Sequence, residues 1–163
     1  MDKEHHITAL GKMVLERLQT ARTNIIAAHK GAGQMASGRT AASIQPEVKV
    51  GSESIEAVLW GRRFFQGLET GRKGGKVPRG FYYMLKQWSI DKGIQFAKES
   101  ERSTFAYFLA RKIAAEGTAL YRKGGRSDIY TPEIRSVMSD LDEMVSWFME
   151  QEMQTIKLND NKE

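Results

Sequence analysis

The stretch PEVKVGSESIEAVLW, residues 46–60, lies between two parts of the chain with helical patterning, and it sets the fold class. On both sides of the turn-like GSES, apolar residues alternate with polar or charged ones: Val48, Val50, Ile55, Ala57 and Leu59. This alternation predicts a β-hairpin. Because a lone two-stranded hairpin is only marginally stable in water, we expect it to pack on helices or to pair its edge with another chain.

The segment before the hairpin has the periodicity of one long helix. Its apolar residues recur every three or four positions and form a single stripe: Ile7, Leu10, Val14, Leu18, Ala21, Ile25 and Ala28. We expect Gly31 and Gly33 to end this helix. A flexible joint, HKGAGQMASG, and a short helical turn in GRTAASI then lead to the hairpin.

Three helices are predicted after the hairpin. FYYMLKQWSIDKG has a helical pattern that stops at Gly93, and residues 100–123 form a stronger helix that ends at Gly124. We assign the buried face of this stronger helix to Phe105, Phe108, Leu109 and Ile113. The last helix begins at Thr131, which can cap it, and Pro132, which suits the first helical position.

The last helix carries a broad apolar stripe. Its members are Ile134, Val137, Leu141, Val145 and Phe148, widened by Met144, Met149, Met153 and Ile156. We expect the apolar face of the hairpin to pack on this stripe, with Ile55, Ala57 and Leu59 opposite Leu141, Val145 and Phe148. The fold class is therefore α+β, mostly α: a long N-terminal helix, a small β-hairpin sheet that neighbouring subunits could complete, then helices including a long C-terminal one.

Length and composition limit the alternatives. A chain of 163 residues predicts one domain, with mobile loops at residues 31–38 and 71–80 and a frayed C-terminus at residues 158–163. It has no Cys, which excludes disulfides and thiolate metal sites. No apolar run approaches the ~20 residues of a membrane span, and the N-terminal sequence lacks the apolar stretch of a signal peptide. We therefore expect no contact with a membrane.

Charge is unevenly distributed along the chain. Residues 60–80 carry a net charge of +5, residues 111–126 carry +4, and residues 133–163 carry −5. Such asymmetry indicates a polyanion or a charge-matched neighbour as partner.

The first basic block contains the glycine-rich stretch GLETGRKGGKVPRG, residues 67–80, whose cations are Arg72, Lys73, Lys76 and Arg79. It is not a phosphate-binding loop of the Gly-x4-Gly-Lys-Ser/Thr type, since Thr70 stands where the first glycine belongs and Val77 where the hydroxyl belongs. We predict a loop that meets a partner or DNA. Arg122, Lys123 and Arg126 form a second basic patch.

Catalytic signals are weak. We expect His5 and His6 to lie in a solvated tail, and His29 to lie near the end of the first helix, where its charge would suit the helix dipole. Asp140, Asp142 and Glu143 lie on one helix with no histidine nearby in sequence, so a solvated face is the simpler interpretation. Trp and Tyr side chains at helical spacing are more often packing residues than base-stacking ones. The sequence predicts no catalytic residue, metal or cofactor, and no enzyme.

SGRTAASI begins a pattern that resembles the neck and tail-completion proteins of tailed bacteriophages. In those proteins a long helix leads to a motif matched here by Ser37, Gly38, Arg39, Thr40, Ser43 and Ile44. A strand pair follows, and then an aromatic segment that runs into a glutamate and a glycine, matched here by Phe64, Phe65, Leu68, Glu69 and Gly71. The resemblance is strongest over residues 35–80.

The resemblance implies a structural virion protein of the head–tail junction, assembled in the bacterial host cytoplasm. It implies a homo-oligomeric ring that contacts portal, adaptor or tail proteins, with the packaged DNA in the channel as a further candidate partner. A neighbouring subunit could then complete the hairpin's sheet, and the basic loop could order on docking. Two alternatives stay open: a small basic nucleic-acid-binding protein, and an enzyme or accessory factor of a class that the residues do not reveal.

Overall fold

A computed structural model describes residues 3–52 and 54–160. The elements are α1 (Lys3–Gly31), α2 (Arg39–Ala42), β1 (Gln45–Val50), β2 (Ile55–Trp60), α3 (Gly67–Thr70), α4 (Phe81–Asp91), α5 (Glu99–Glu116), α6 (Ala119–Arg122) and α7 (Thr131–Asp160). Helices hold 62 % of the chain and one antiparallel strand pair completes it, so the predicted class, α+β and mostly α, is confirmed. The end of the predicted frayed terminus, residues 161–163, lies outside the described residues.

The chain divides into two compact units. The first comprises Met1–Ala27, Ser43–Gly61 and Tyr130–Glu163, and the second comprises Ala28–Ala42 and Arg62–Ile129. Two such units can still unfold in one cooperative step, so the single domain expected from the chain length stays a prediction.

In the first unit, the predicted stripe of α1 forms the core. Its buried members are Ile7, Leu10, Val14, Leu18, Ala21 and Ile25, and Ala28 beyond them is half-buried. The hairpin packs close to this helix, because a Cβ atom on Gly11 would overlap Cγ2 of Val50. Arg22 Nε donates to the Ile44 carbonyl at 2.7 Å, which ties α1 to the chain just before β1.

Polar pairs join α1 to α7. Asn24 Nδ2 donates to Glu133 Oε2 at 3.1 Å, and His6 Nδ1 lies 2.9 Å from Glu152 Oε1. The partners' numbers rise along α7 as they fall along α1, so the two helices are antiparallel. His5 is exposed, but His6 is only 5 % exposed, and the prediction that both lie in a solvated tail is therefore wrong for His6.

Arg17 links the middle of α1 to the first turns of α7. Its guanidinium donates to Asp140, to Glu133 Oε1 at 2.6 Å and to Ser136 Oγ at 3.0 Å. Burial alone would lower the pKa of Arg17, but the hydrogen bonds to Asp140 and Glu133 raise it above the usual value. The prediction of a solvated face is therefore wrong for Asp140, which is half-buried because it binds Arg17.

The predicted hairpin is confirmed, with β1 and β2 paired from Gln45↔Trp60 to Val50↔Ile55. The predicted packing of its face on α7 is wrong in two places. Ala57 is exposed, and Val145 is 52 % exposed because it lies on a side of α7 that does not face α1.

In the second unit, α4 packs on α5. Ser89 is fully buried, and its hydroxyl accepts a hydrogen bond from Arg102 Nη1 at 3.0 Å. The predicted buried face of α5 is wrong at Phe108, which is 61 % exposed, while Ala106 and Ile113 are buried. Phe108 lies about 200° around the helix from Ala106, so a helix that buries Ala106 turns Phe108 toward solvent.

The stronger helix predicted to run to Lys123 is interrupted. Gly117 adopts φ 82°, a conformation that a side chain disfavours, and it ends α5 after Glu116. Thr118 then caps α6, with its Oγ1 accepting from the backbone N–H of Tyr121 at 3.3 Å. Because of this break, residues 118–126 leave the direction of α5 and run beside the glycine-rich loop.

Candidate functional site

Glu69 anchors the beginning of the glycine-rich loop. It is 3 % exposed, and its carboxylate Oε1 accepts the backbone N–H of Ile129 at 2.8 Å. Its carbonyl accepts the N–H of Arg126 at 2.8 Å. Glu69 is therefore a buried structural residue that connects the loop to the second basic patch.

The loop is then joined backbone to backbone with the α5–α6 connection. Thr118 accepts the Arg72 N–H through Oγ1 at 2.9 Å and donates its own N–H to the Arg72 carbonyl at 2.9 Å. The Gly75 N–H donates to the Ala114 carbonyl at 2.7 Å. Gly71 has φ 68°, and a Cβ atom there would lie 2.5 Å from the Tyr121 nitrogen, so both the conformation and the close approach require glycine.

These contacts bring the two predicted basic segments together. We call the result the basic surface: Arg72, Lys73, Lys76, Arg79, Arg122, Lys123 and Arg126. The sequence predicted the two segments separately and not their union, because the hydrogen bonds that join them span 39 to 60 positions. Gly117 within a helical pattern was the one local signal that the chain turns there.

Part of the basic surface is neutralised internally. Arg126 donates twice to Asp128, at 2.5 and 2.7 Å, and this hydrogen bonding lowers the pKa of Asp128. Arg122 pairs with Glu116. Arg72 keeps its charge, but its guanidinium is held within the loop, where Nη2 donates to the Lys76 carbonyl at 2.7 Å.

The other cations point to solvent. Lys73, Lys76, Arg79 and Lys123 are exposed, and none has an ion pair within the described part of the chain. Four exposed and unpaired positive charges on these two joined segments can meet phosphates or carboxylates of a partner without first breaking an internal salt bridge. The predicted mobility of residues 71–80 stays a prediction, and the hydrogen bonds to Arg72 and Gly75 would confine it to the half after Gly75.

The other motif residues lie elsewhere. Ser37, Gly38, Arg39 and Thr40, at the start of α2, line a pocket of about 550 Å³. Arg39 Nε donates to Ser37 Oγ at 3.0 Å, and its guanidinium lies 3.8 Å from Asp91. Ser43 and Ile44 belong to the first unit, where Ile44 is 1 % exposed. The motif is thus divided between pocket lining, core and the anchor of the basic surface.

His29 and Gln34 also line this pocket. Burial lowers the pKa of His29, and the charge of Lys92 lowers it further, so the imidazole is neutral at pH 7. The prediction that a charged His29 complements the helix dipole is wrong for that reason. Gln34 Nε2 donates to the Leu68 carbonyl at 3.0 Å, which positions the loop before α2 against α3.

Among the described residues, no three His, Cys, Asp or Glu side chains are grouped closely enough to hold a metal ion. None of the described helices has both the length and the apolar character needed to cross a membrane. Comparison with family models, curated proteins and solved structures found no match to this chain.

Proposed function

We propose that this chain is a structural virion protein of a tailed phage, a ring-forming component of the head–tail junction that joins the DNA-filled head to the tail. The observation that carries the proposal is the basic surface, where hydrogen bonds hold two glycine-bearing segments together and leave Lys73, Lys76, Arg79 and Lys123 exposed without counter-ions. A surface of this kind fits a permanent partner that is acidic or carries phosphates.

The order of the elements supports the same proposal. A long helix, the SGRTAASI segment, a strand pair and a glycine-rich loop follow one another as the resemblance to neck proteins implies. The described sheet has only two strands, so each strand has one edge that a neighbouring subunit could extend.

The basic surface also favours a second candidate, a nucleic-acid-binding protein that acts as a monomer. Phosphate contacts by Lys and Arg would then supply most of its affinity, and binding would weaken steeply with salt. The two candidates differ in what fails when the charges are reversed.

The experiment replaces Lys73, Lys76, Arg79 and Lys123 by Glu in the phage or prophage that encodes the chain. Arg72 is left unchanged because its guanidinium lies 5.3 Å from the centre of the Phe81 ring and packs on it. A matched variant reverses four exposed bases elsewhere: Lys12, Lys30, Arg63 and Lys98.

Under the junction proposal, only the first variant should leave full heads and free tails unjoined, as counted by electron microscopy. Under the nucleic-acid proposal, the purified first variant should lose binding to duplex DNA while particles form normally. Infectious particles in normal numbers together with unchanged DNA binding would reject both functions.

A further inference from the structure

The hairpin is a sheet with two outer edges, and the register of its strands shows which backbone groups point outward. The Gly51 N–H donates to the Ser54 carbonyl at 2.8 Å, so the next pair along the ladder, Val50↔Ile55, is one that exchanges no hydrogen bonds. Bonded and non-bonded pairs alternate from there. Three residues of each strand therefore direct their N–H and carbonyl groups away from the other strand: Pro46, Val48 and Val50 in β1, and Ile55, Ala57 and Leu59 in β2.

The outer edge of β1 is poorly suited to a further strand. Pro46 lies at an outward position and has no N–H to donate. Lys49 is exposed in the same strand. A proline and a lysine are two of the features that keep natural sheet edges from pairing with other chains. A strand added to β1 would lack one hydrogen bond and would lie beside the charge of Lys49.

The outer edge of β2 has a complete set of backbone groups. Ile55, Ala57 and Leu59 each direct an N–H and a carbonyl outward, and the described sheet ends at this strand. Within the described part of the chain, no hydrogen bond satisfies these outward groups. Ala57, in the middle of the strand, is exposed. A row of unpaired N–H and carbonyl groups is a template for another strand, so the chemistry of this edge selects an extended segment as its partner.

The sequence of β2 fits a second copy of β2. In an antiparallel pair with its two-fold axis at Ala57, the three outward positions pair only with one another, so every outward group finds a partner. Ile55 then lies opposite Leu59 of the second copy, and the small Ala57 lies opposite itself. Glu56 lies opposite Val58 of the second copy, which keeps the two carboxylates from facing each other directly.

We infer that two copies of this chain pair through their β2 edges and form one four-stranded antiparallel sheet in the order β1–β2–β2–β1. Because the β1 edge is poorly suited to pairing, the sheet stops growing at two copies. This pairing does not rest on the proposed function. The two sides of a head–tail ring face different partners, so a pair with a two-fold axis would be the form of the free chain before it joins such a ring.

The first test places a proline at the outer edge of β2. Ala57→Pro removes an outward N–H, and it breaks no hydrogen bond to β1 because Ala57 and Val48 form a non-bonded pair. In analytical ultracentrifugation the native chain should be a dimer, and Ala57→Pro should be a monomer at the same concentrations. Val48→Pro is the matched control, since it makes the same change directly opposite, on the β1 edge, and it should stay dimeric. Circular dichroism checks that both variants fold.

The second test keeps the inference falsifiable if a proline variant fails to fold. The native chain has no cysteine, so Glu56→Cys in one sample and Val58→Cys in another each introduce a single thiol. In the paired sheet these two positions lie opposite each other, with Cα atoms about 4.5 Å apart, a distance that a disulfide can span. Mild oxidation of an equimolar mixture, with one variant carrying a mass tag, should therefore give mixed disulfide dimers. Either variant alone should crosslink far less, because identical positions lie on a diagonal about 7–8 Å apart.

Three results would overturn the inference: a native chain that stays monomeric up to about 1 mM, an Ala57→Pro variant that folds and still dimerises, or a mixture that crosslinks no more than either cysteine variant alone. Particles that still need the basic surface to join heads to tails would in each case leave the proposed function standing. Normal joining after reversal of the basic surface, together with a dimer that Ala57→Pro abolishes, would reject the proposed function and leave the pairing standing.

Discussion

α1 and α7 are the two longest helices, with 29 and 30 residues, and both read in the sequence as one continuous apolar stripe. In α1 the stripe is buried from Ile7 to Ile25. In α7 the apolar residues divide between two faces, one toward α1 and one exposed, the latter including Val145 and Met149. α1 thus buries nearly all of its apolar stripe within the chain, whereas α7 leaves apolar area exposed.

The polar residues show the same contrast. The half-buried acids of α7, Asp140 and Glu133, are held by Arg17, while Asp142 and Glu143 are exposed. On the face of α7 that meets α1, the acids are therefore paired and the apolar side chains are packed. On the other face, the acids and the apolar side chains are exposed. Because of this difference, equivalent substitutions on the two helices should have unequal effects.

The largest expected effect is at Ile25, which is 1 % exposed in α1. Ile25→Ala should lower the free energy of unfolding by about 2–5 kcal/mol, because the surrounding core cannot fully collapse on the cavity. Val145→Ala on α7 should change it by less than about 0.5 kcal/mol. Urea denaturation of dilute protein measures both, and equal losses would mean that Val145 is buried in the monomer.

A smaller effect is expected at Arg17, whose side chain is 14 % exposed. Arg17→Ala removes charge-assisted hydrogen bonds to Glu133 and Asp140 and should cost about 1.5–3 kcal/mol. Arg135→Ala, at an exposed position of the same helix pair, is the control and should stay within about 0.5 kcal/mol. Thermal melts of both variants should separate them by several degrees, and overlapping melts would show that the Arg17 cluster does not hold the helices together.

The smallest effect concerns His29, near the end of α1. Its pKa is lowered by burial and by Lys92, so between the ordinary value of 6.5 and the lowered one the unfolded chain binds a proton that the folded chain does not. The stabilisation is therefore complete above pH 6.5 and is lost as the pH falls below it.

His29→Gln removes this titration. The urea midpoint of the native chain should fall more steeply than that of the variant between about pH 7.5 and pH 5.5. Gln19→Ala, at an exposed position of α1 without a titratable group, should keep the native slope. Parallel slopes for the native chain and His29→Gln would show that His29 protonates equally well in the folded state.

Periodicity predicted most of the helices and strands, but it did not predict which of their apolar residues are exposed. The hairpin, the end of α1 at Gly31 and the start of α7 at Thr131 follow from local patterns, namely alternation, glycine and a capping residue before proline. Which apolar residues of α5 and α7 are exposed depends on the neighbouring helix. Phe108 and Val145 matched the stripe spacing as well as their buried neighbours did, so spacing alone could not identify them.

The sequence predicted which basic residues belong to the candidate site, but not how they are arranged. Arg72, Lys73 and Arg122 were visible as basic residues near glycines, but the contacts that unite them run through Glu69 and Thr118. A glutamate that binds a distant backbone N–H, and a threonine that bonds a distant loop, leave no periodic signal. Conversely, the sequence could not show that Arg122 and Arg126 are paired internally while Lys123 is not.

The most direct measurement is the position of this chain in particles. Under the proposed function, cryo-electron microscopy of phage particles that contain the tagged chain should show several copies in a closed ring between head and tail. In that ring the basic surface should face DNA or an acidic partner. Particles that contain no copy of the chain, or that carry it away from the junction, would contradict the proposed function.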